Sequence, residues 1–179
     1  MSKIVKLLSC APSVLLLLTA ISVFALTAAF VSEAFLGLEP CILCVYQRWP
    51  FAAVIGLGVI GLFLRNKGPV PQIMVGLSGL SMLINSVIAT YHTGVEQKWW
   101  MSKVEGCTIP SFGDTEPQSI LENIMSAPTG NCAEIPWQDP LLGLSMANYN
   151  AMMCFGLFVL CAVSLVLSLK KRQTSSSQP

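Results

Sequence analysis

The sequence predicts an all-α membrane protein, a bundle of four transmembrane helices with one short and one long outer loop. Three observations carry that reading. Of 179 residues, 54% are hydrophobic and only 11% charged, less than half the roughly 25% charged share of a soluble domain. Mean hydropathy is +0.68. The charges also fall between four apolar runs rather than inside them. At this length the chain, residues 1–179, forms one small membrane domain.

The first run, Leu7 to Ser32, carries no charge and has Leu15-Leu16-Leu17-Leu18 at its middle. It is long enough to cross a bilayer, which takes about 20 apolar residues. A cleaved leader with Ala28-Ala29 near its end is the competing reading, but its apolar region should be only about 7–15 residues. We place the first span over 11–31 and a short loop over 32–48. The second run, from Trp49, opens with Pro50, which a helix tolerates in its first turn, but it is short for a span unless the helix begins near Cys44, and we place the span over 44–64. Arg65-Asn66-Lys67-Gly68 is a basic turn, and the third span covers 70–91.

The long loop, 92–145, holds five prolines and seven acids, with a short helical turn expected near Ser119–Met125. The fourth span covers 146–169, with Ser145 or Asn148 as its N-cap. Lys170-Lys171-Arg172 closes it, ahead of a Ser-rich tail.

Four spans put both termini on one side. Lys3, Lys6, Arg65, Lys67, Lys170, Lys171 and Arg172 lie on that side, while Arg48, Lys98, Lys103 and all nine acids lie on the other. The positive-inside rule then predicts cytoplasmic termini and outward-facing loops. In a bacterium that outward side is the oxidising periplasm, where disulfides persist.

Four of the seven cysteines fall in those outer loops: Cys41, Cys44, Cys107 and Cys132. Cys41 and Cys44 form a C-x-x-C at a helix start, where the partial positive charge of the helix end favours a thiolate. Arg48 lies one helical turn past Cys44 and shares its face, adding a cation there. Snorkelling to lipid headgroups is the plainer use of such an arginine. Cys107 and Cys132 fit either a structural disulfide of the long loop or a second, exchanging redox pair. Zinc held by all four thiols is disfavoured, because their spacing matches no zinc ribbon; we expect no metal. Cys10, Cys154 and Cys161 read as small packing residues. His92, the single histidine, is either an interfacial polar residue or a hydrogen-bond partner for an electron acceptor.

Two thiols deliver two electrons. The sequence offers no Gly-rich nucleotide loop and no C-x-x-C-H haem motif. A C-x-x-C at the membrane surface therefore points to an acceptor dissolved in the membrane, and a quinone suits the electron count.

Three stretches then carry a resemblance. They are Pro40-Cys41-Ile42-Leu43-Cys44-Val45-Tyr46-Gln47-Arg48-Trp49-Pro50, Tyr91-His92-Thr93-Gly94-Val95-Glu96, and the segment with Asn131-Cys132-Ala133-Glu134-Ile135-Pro136-Trp137 and Leu142-Gly143-Leu144-Ser145-Met146, with Cys107 between the last two. Over nearly its whole length the chain resembles the DsbB family, bacterial inner-membrane thiol oxidases that re-oxidise a periplasmic thioredoxin-fold protein, DsbA, with quinone. The resemblance implies that Cys107 takes the attack of the partner and that Cys132 resolves towards Cys41. It implies that Cys44 contacts the ring of ubiquinone or menaquinone, with Arg48 and His92 as further quinone-binding residues. Some members carry glutamate where this chain has Gln47, which removes one negative charge beside Arg48.

Three rivals stand beside that reading: a paralogue serving another thiol partner, a non-enzymatic four-span scaffold with structural disulfides, and an enzyme of the vitamin-K-epoxide-reductase type. The scaffold leaves the arginine one turn after the C-x-x-C unexplained. The last usually orders its C-x-x-C differently along the chain. No feature points to nucleic acid.

Overall fold

A computed structural model of the chain describes residues 8–104, 107 and 130–176. Four helices follow in order: α1 (Ala11–Leu36), α2 (Ile42–Phe63), α3 (Val70–Glu96) and α4 (Met146–Ser176). All four are long and apolar enough to cross a membrane, so the predicted four-helix membrane bundle is the fold. Among the described residues there is no strand, only the isolated bridges Cys41–Gly130 and Gln138–Ser145. The turn expected near Ser119–Met125 lies outside the described residues.

α1 packs mainly on α2, α2 on α3, and α3 most extensively on α4. Val14, Leu15 and Leu18 of α1, Phe51 and Val54 of α2, Val75 and Met82 of α3, and Cys154, Leu157 and Cys161 of α4 meet in one core. Cys154 and Cys161 thus pack as small buried residues, as expected, whereas Cys10, expected to do the same, precedes α1 and is exposed. Gly79 shows how closely α3 approaches α4: a Cβ there would stand 2.9 Å from the Cys161 Cβ, and small residues let membrane helices come together in this way. Ser168 Oγ, which donates to the Ser164 carbonyl at 2.8 Å, also lies 3.3 Å from the Ser9 carbonyl, so the start of α1 and the later part of α4 meet at one end of the bundle. The cysteine-bearing connections occupy the other.

The helices overrun the apolar runs where polar residues turn inward. α1 continues through Glu33 to Leu36 and stops at Gly37, because the carboxylate of Glu33 finds a cation on α2. α3 continues past Tyr91 through His92 and Glu96, both buried. Both helices thus run past residues 32 and 92, where the sequence pattern placed the starts of the connections. α2 also starts earlier than expected, since Cys41 caps it. Pro50 consequently lies inside α2 rather than in its first turn. Its missing N–H costs one helical bond, and its carbonyl accepts from Ser81 Oγ of α3 at 3.3 Å.

Candidate redox site

Cys41 precedes the first turn of α2 in extended backbone, and its sulfur accepts from the Cys44 backbone N–H at 3.3 Å. This is an N-cap made with sulfur in the role that a serine or aspartate oxygen usually fills. The Cys41 and Cys44 sulfurs lie 3.0 Å apart, and both thiols are free. His92, 51 positions away, brings its Nε2 to 3.5 Å from the Cys41 sulfur. That sulfur is thus the convergence point of a backbone N–H, an imidazole nitrogen and the neighbouring thiol. The Cys44 side chain foremost, then His92 and the Cys44 backbone N–H, hold the Cys41 thiol down to about 4, against burial, which pushes it up. The helix start favours the first cysteine of the pair because the N-cap sulfur is the one facing the free N–H groups.

Behind His92 stands a buried polar network. Gln47 Nε2 lies 3.0 Å from His92 Nδ1, and Gln47 Oε1 accepts from Asn150 Nδ2 of α4 at 2.7 Å. Glu96, one turn beyond His92, brings Oε1 to 3.7 Å from Nε2, while its Oε2 accepts from the Ser145 hydroxyl. Ser145 is also the N-cap of α4, accepting from the Asn148 N–H at 3.3 Å. One cluster therefore ties α2, α3 and α4 together.

The second pair joins the first. Cys107 and Cys132 form a disulfide with Cα atoms 5.0 Å apart. They pack with Cys41, Leu43 and Val95 in one apolar cluster, against which Cys44 and Tyr91 rest. The link is backbone to backbone: Gly130 bridges Cys41, and a Cβ on it would stand 2.8 Å from Cys41 N and 2.8 Å from the Glu39 carbonyl oxygen. Only glycine fits that approach.

Arg48 lies one turn beyond Cys44, as the spacing requires. Its Nη1 pairs with Glu33 Oε2 of α1 at 2.9 Å, and its guanidinium sits 4.8 Å over the ring of Phe30. The arginine is therefore held by α1 as well as exposed to the site.

Two cavities adjoin here. One, of about 370 Å³, is lined by Cys41, Cys44, His92, Glu96 and Gly130. The other, of about 350 Å³, lies between α1, α2 and α4 and is lined by Ala25, Ala29, Arg48, Asn150 and Met153. Cys44 and Gln47 line both. The donor atoms of Cys41, Cys44 and His92 lie within 4.8 Å of one another, a set with the composition of a metal site. The two sulfurs stand 3.0 Å apart, closer than the about 3.8 Å of two thiolates on one tetrahedral zinc.

All six residues singled out in the sequence lie at this end of the bundle. Five of them, Cys41, Cys44, His92, Cys107 and Cys132, are brought directly together. Sequence reasoning did not mark Glu33, Glu96, Gly130, Ser145 or Asn150 as site residues. For Glu96 a signal existed, its position four residues after His92 on one helix face.

Residues 11–164 match the protein family described as Disulfide bond formation protein DsbB. Among curated proteins, the chain is 28% identical over 155 residues to an uncharacterised protein of Rickettsia prowazekii, covering 84% of this chain and 85% of that one. It is 27% identical to the disulfide bond formation protein B of Pasteurella multocida, over 76% and 75% of the two chains. To the protein of that name in Psychromonas ingrahamii it is 30% identical, over 88% and 85%. With a match spanning the bundle and both cysteine pairs, this chain belongs to the DsbB family.

Proposed function

We propose that the protein is a membrane thiol oxidase: it re-oxidises a DsbA-like periplasmic dithiol protein and passes the electrons through its two cysteine pairs to ubiquinone or menaquinone. The observation that carries this reading is the packing of a closed Cys107–Cys132 disulfide against a free Cys41/Cys44 dithiol in one buried cluster. The basic residues on the side of the termini favour cytoplasmic ends and periplasmic cysteines.

The sulfur chemistry balances as a relay. A partner thiolate attacks Cys107, breaking its bond to Cys132 and releasing Cys132 as a thiolate. Cys132 attacks Cys41 of the oxidised C-x-x-C, breaking the Cys41–Cys44 bond and freeing Cys44. The partner's second thiolate attacks its own sulfur in the mixed disulfide and leaves oxidised, freeing Cys107. Cys107 then attacks Cys132, restoring their disulfide and leaving Cys41 and Cys44 reduced. This final arrangement, closed disulfide and free dithiol, is the one the structure holds.

The cavity between α1, α2 and α4 suits a quinone. Ala25, Ala29 and Met153 give apolar walls, and Arg48, Gln47 and Asn150 bring N–H groups for carbonyl oxygens. When bound, a quinone supplies an acceptor for two electrons and two protons. Cys44, on the wall shared by both cavities, is the sulfur we assign to that side, and Arg48 the cation that favours negative charge there.

The test uses purified protein in detergent with quinone and a reduced thioredoxin-fold dithiol protein. Cys44→Ser abolishes quinone reduction. Arg48→Ala raises the quinone concentration for half-maximal rate about tenfold, the loss of one charge-assisted hydrogen bond. No quinone reduction with any dithiol partner, with both cysteine pairs locked as disulfides, overturns the proposal in favour of a structural scaffold.

A further inference from the structure

The protein has one histidine, and both of its ring nitrogens are engaged. A neutral imidazole carries its proton on one nitrogen only, and its partners decide which. The partners here form a directed chain across three helices. The Cys154 thiol donates to Asn150 Oδ1 at 3.2 Å. That leaves Asn150 Nδ2 to donate to Gln47 Oε1 at 2.7 Å. Gln47 then presents its amide nitrogen to His92 Nδ1 at 3.0 Å. An N–H pointing at Nδ1 requires a bare nitrogen there, so the ring proton sits on Nε2. Nε2 in turn faces two acceptors, the Cys41 sulfur at 3.5 Å and Glu96 Oε1 at 3.7 Å.

Each amide has one donor end and one acceptor end, so turning one alone sets like against like, and the chain reverses only if Asn150 and Gln47 turn together. We propose that Asn150, acting through Gln47, is a positioning residue that locks His92 in the Nε2–H tautomer and so aims an N–H at the Cys41 sulfur. In the reduced pair this favours negative charge on the Cys41 sulfur. Glutamate at position 47 would not transmit the same instruction. An ionised carboxylate has no N–H to offer Nδ1, so Gln47 does more than remove a charge beside Arg48.

The titratable groups around Cys41 are Cys44 on α2 and His92 and Glu96 on α3, with Glu39 and Glu134 lining the same cavity. α4 presents the uncharged Ser145 and Asn150 on this side. Replacing Asn150 leaves every one of these titratable side chains in place.

The inference rests on Cys41 and Cys44 being the redox pair of the proposed oxidase. Its test needs neither quinone nor partner, so either idea can fail without the other. The full-length protein in detergent is labelled with 15N-histidine, reduced, and examined by NMR, where the lone histidine gives one ring system. Alkylation of Cys41 is followed against pH by mass spectrometry. The parent shows Nδ1 bare and Nε2 protonated, and its Cys41 stays reactive well below neutral pH. Asn150→Leu moves Nδ1 away from the bare-nitrogen position and slows Cys41 alkylation at pH 6 about tenfold, the scale of one hydrogen bond to a charged sulfur. Gln47→Glu places a proton on Nδ1. A parent with Nδ1 protonated overturns the proposal with no variant needed. Unchanged ring signals and alkylation profile in Asn150→Leu overturn it as well.

Discussion

Cys41 and Cys44 belong to a helix, whereas Cys107 and Cys132 belong to irregular chain, yet both pairs share one buried cluster. The first pair takes its chemistry from its position. The α2 N-cap geometry delivers a backbone N–H to the Cys41 sulfur, and residues of three helices surround that sulfur. The second pair owes its location to a backbone bridge between Gly130 and Cys41. Both its sulfurs are buried, Cys107 at 4% and Cys132 at 0% exposure. The difference is one of support: one sulfur sits among donors at a fixed helix end, and the other pair is held against it by a backbone contact.

The comparison breaks most severely with Cys107→Ala. Oxidation of a protein dithiol partner should cease, while a small-molecule dithiol added in excess is still oxidised at Cys41–Cys44 with quinone. Equal loss for both substrates would mean that the pairs do not divide the work. A milder break is Gly130→Ala, which forces a Cβ against backbone atoms at 2.8 Å. Exchange between the pairs, followed by rapid acid quench and mass spectrometry, should slow about tenfold or more, since a barrier increase of about 1.4 kcal/mol already does this. The smallest effect sharpens the comparison from the helical side. Ser145→Ala removes the α4 N-cap and the hydroxyl on Glu96. It should destabilise the bundle by about 1–2 kcal/mol, read from thermal unfolding in detergent, and leave the Cys107–Cys132 disulfide intact.

The four helices were legible because a bilayer demands uncharged runs of a given length, and residues 11–31, 44–64, 70–91 and 146–169 lie almost wholly inside the observed helices. Their ends were not. Hydropathy treats Glu33, His92 and Glu96 as exits to water, but each is helical and satisfied by a partner on a neighbouring element. The C-x-x-C and Arg48 were readable from spacing along one helix. Glu33 was not, since its tie to Arg48 crosses from α1 to α2 with no local pattern to announce it. Gln47 appeared in the sequence only as a lost charge, and its double role as donor and acceptor emerged once His92 and Asn150 stood on either side of it.

By itself, then, the sequence determined four membrane-length helices and a redox motif at the head of the second, because hydropathy and helix capping act over a few residues. The tertiary structure alone decided which sulfur gathers the donors, which side chains meet the two nitrogens of His92, and where the second cysteine pair comes to rest. Those outcomes depend on how four helices rotate and cross, which brings residues 51 and 103 positions apart within hydrogen-bonding distance.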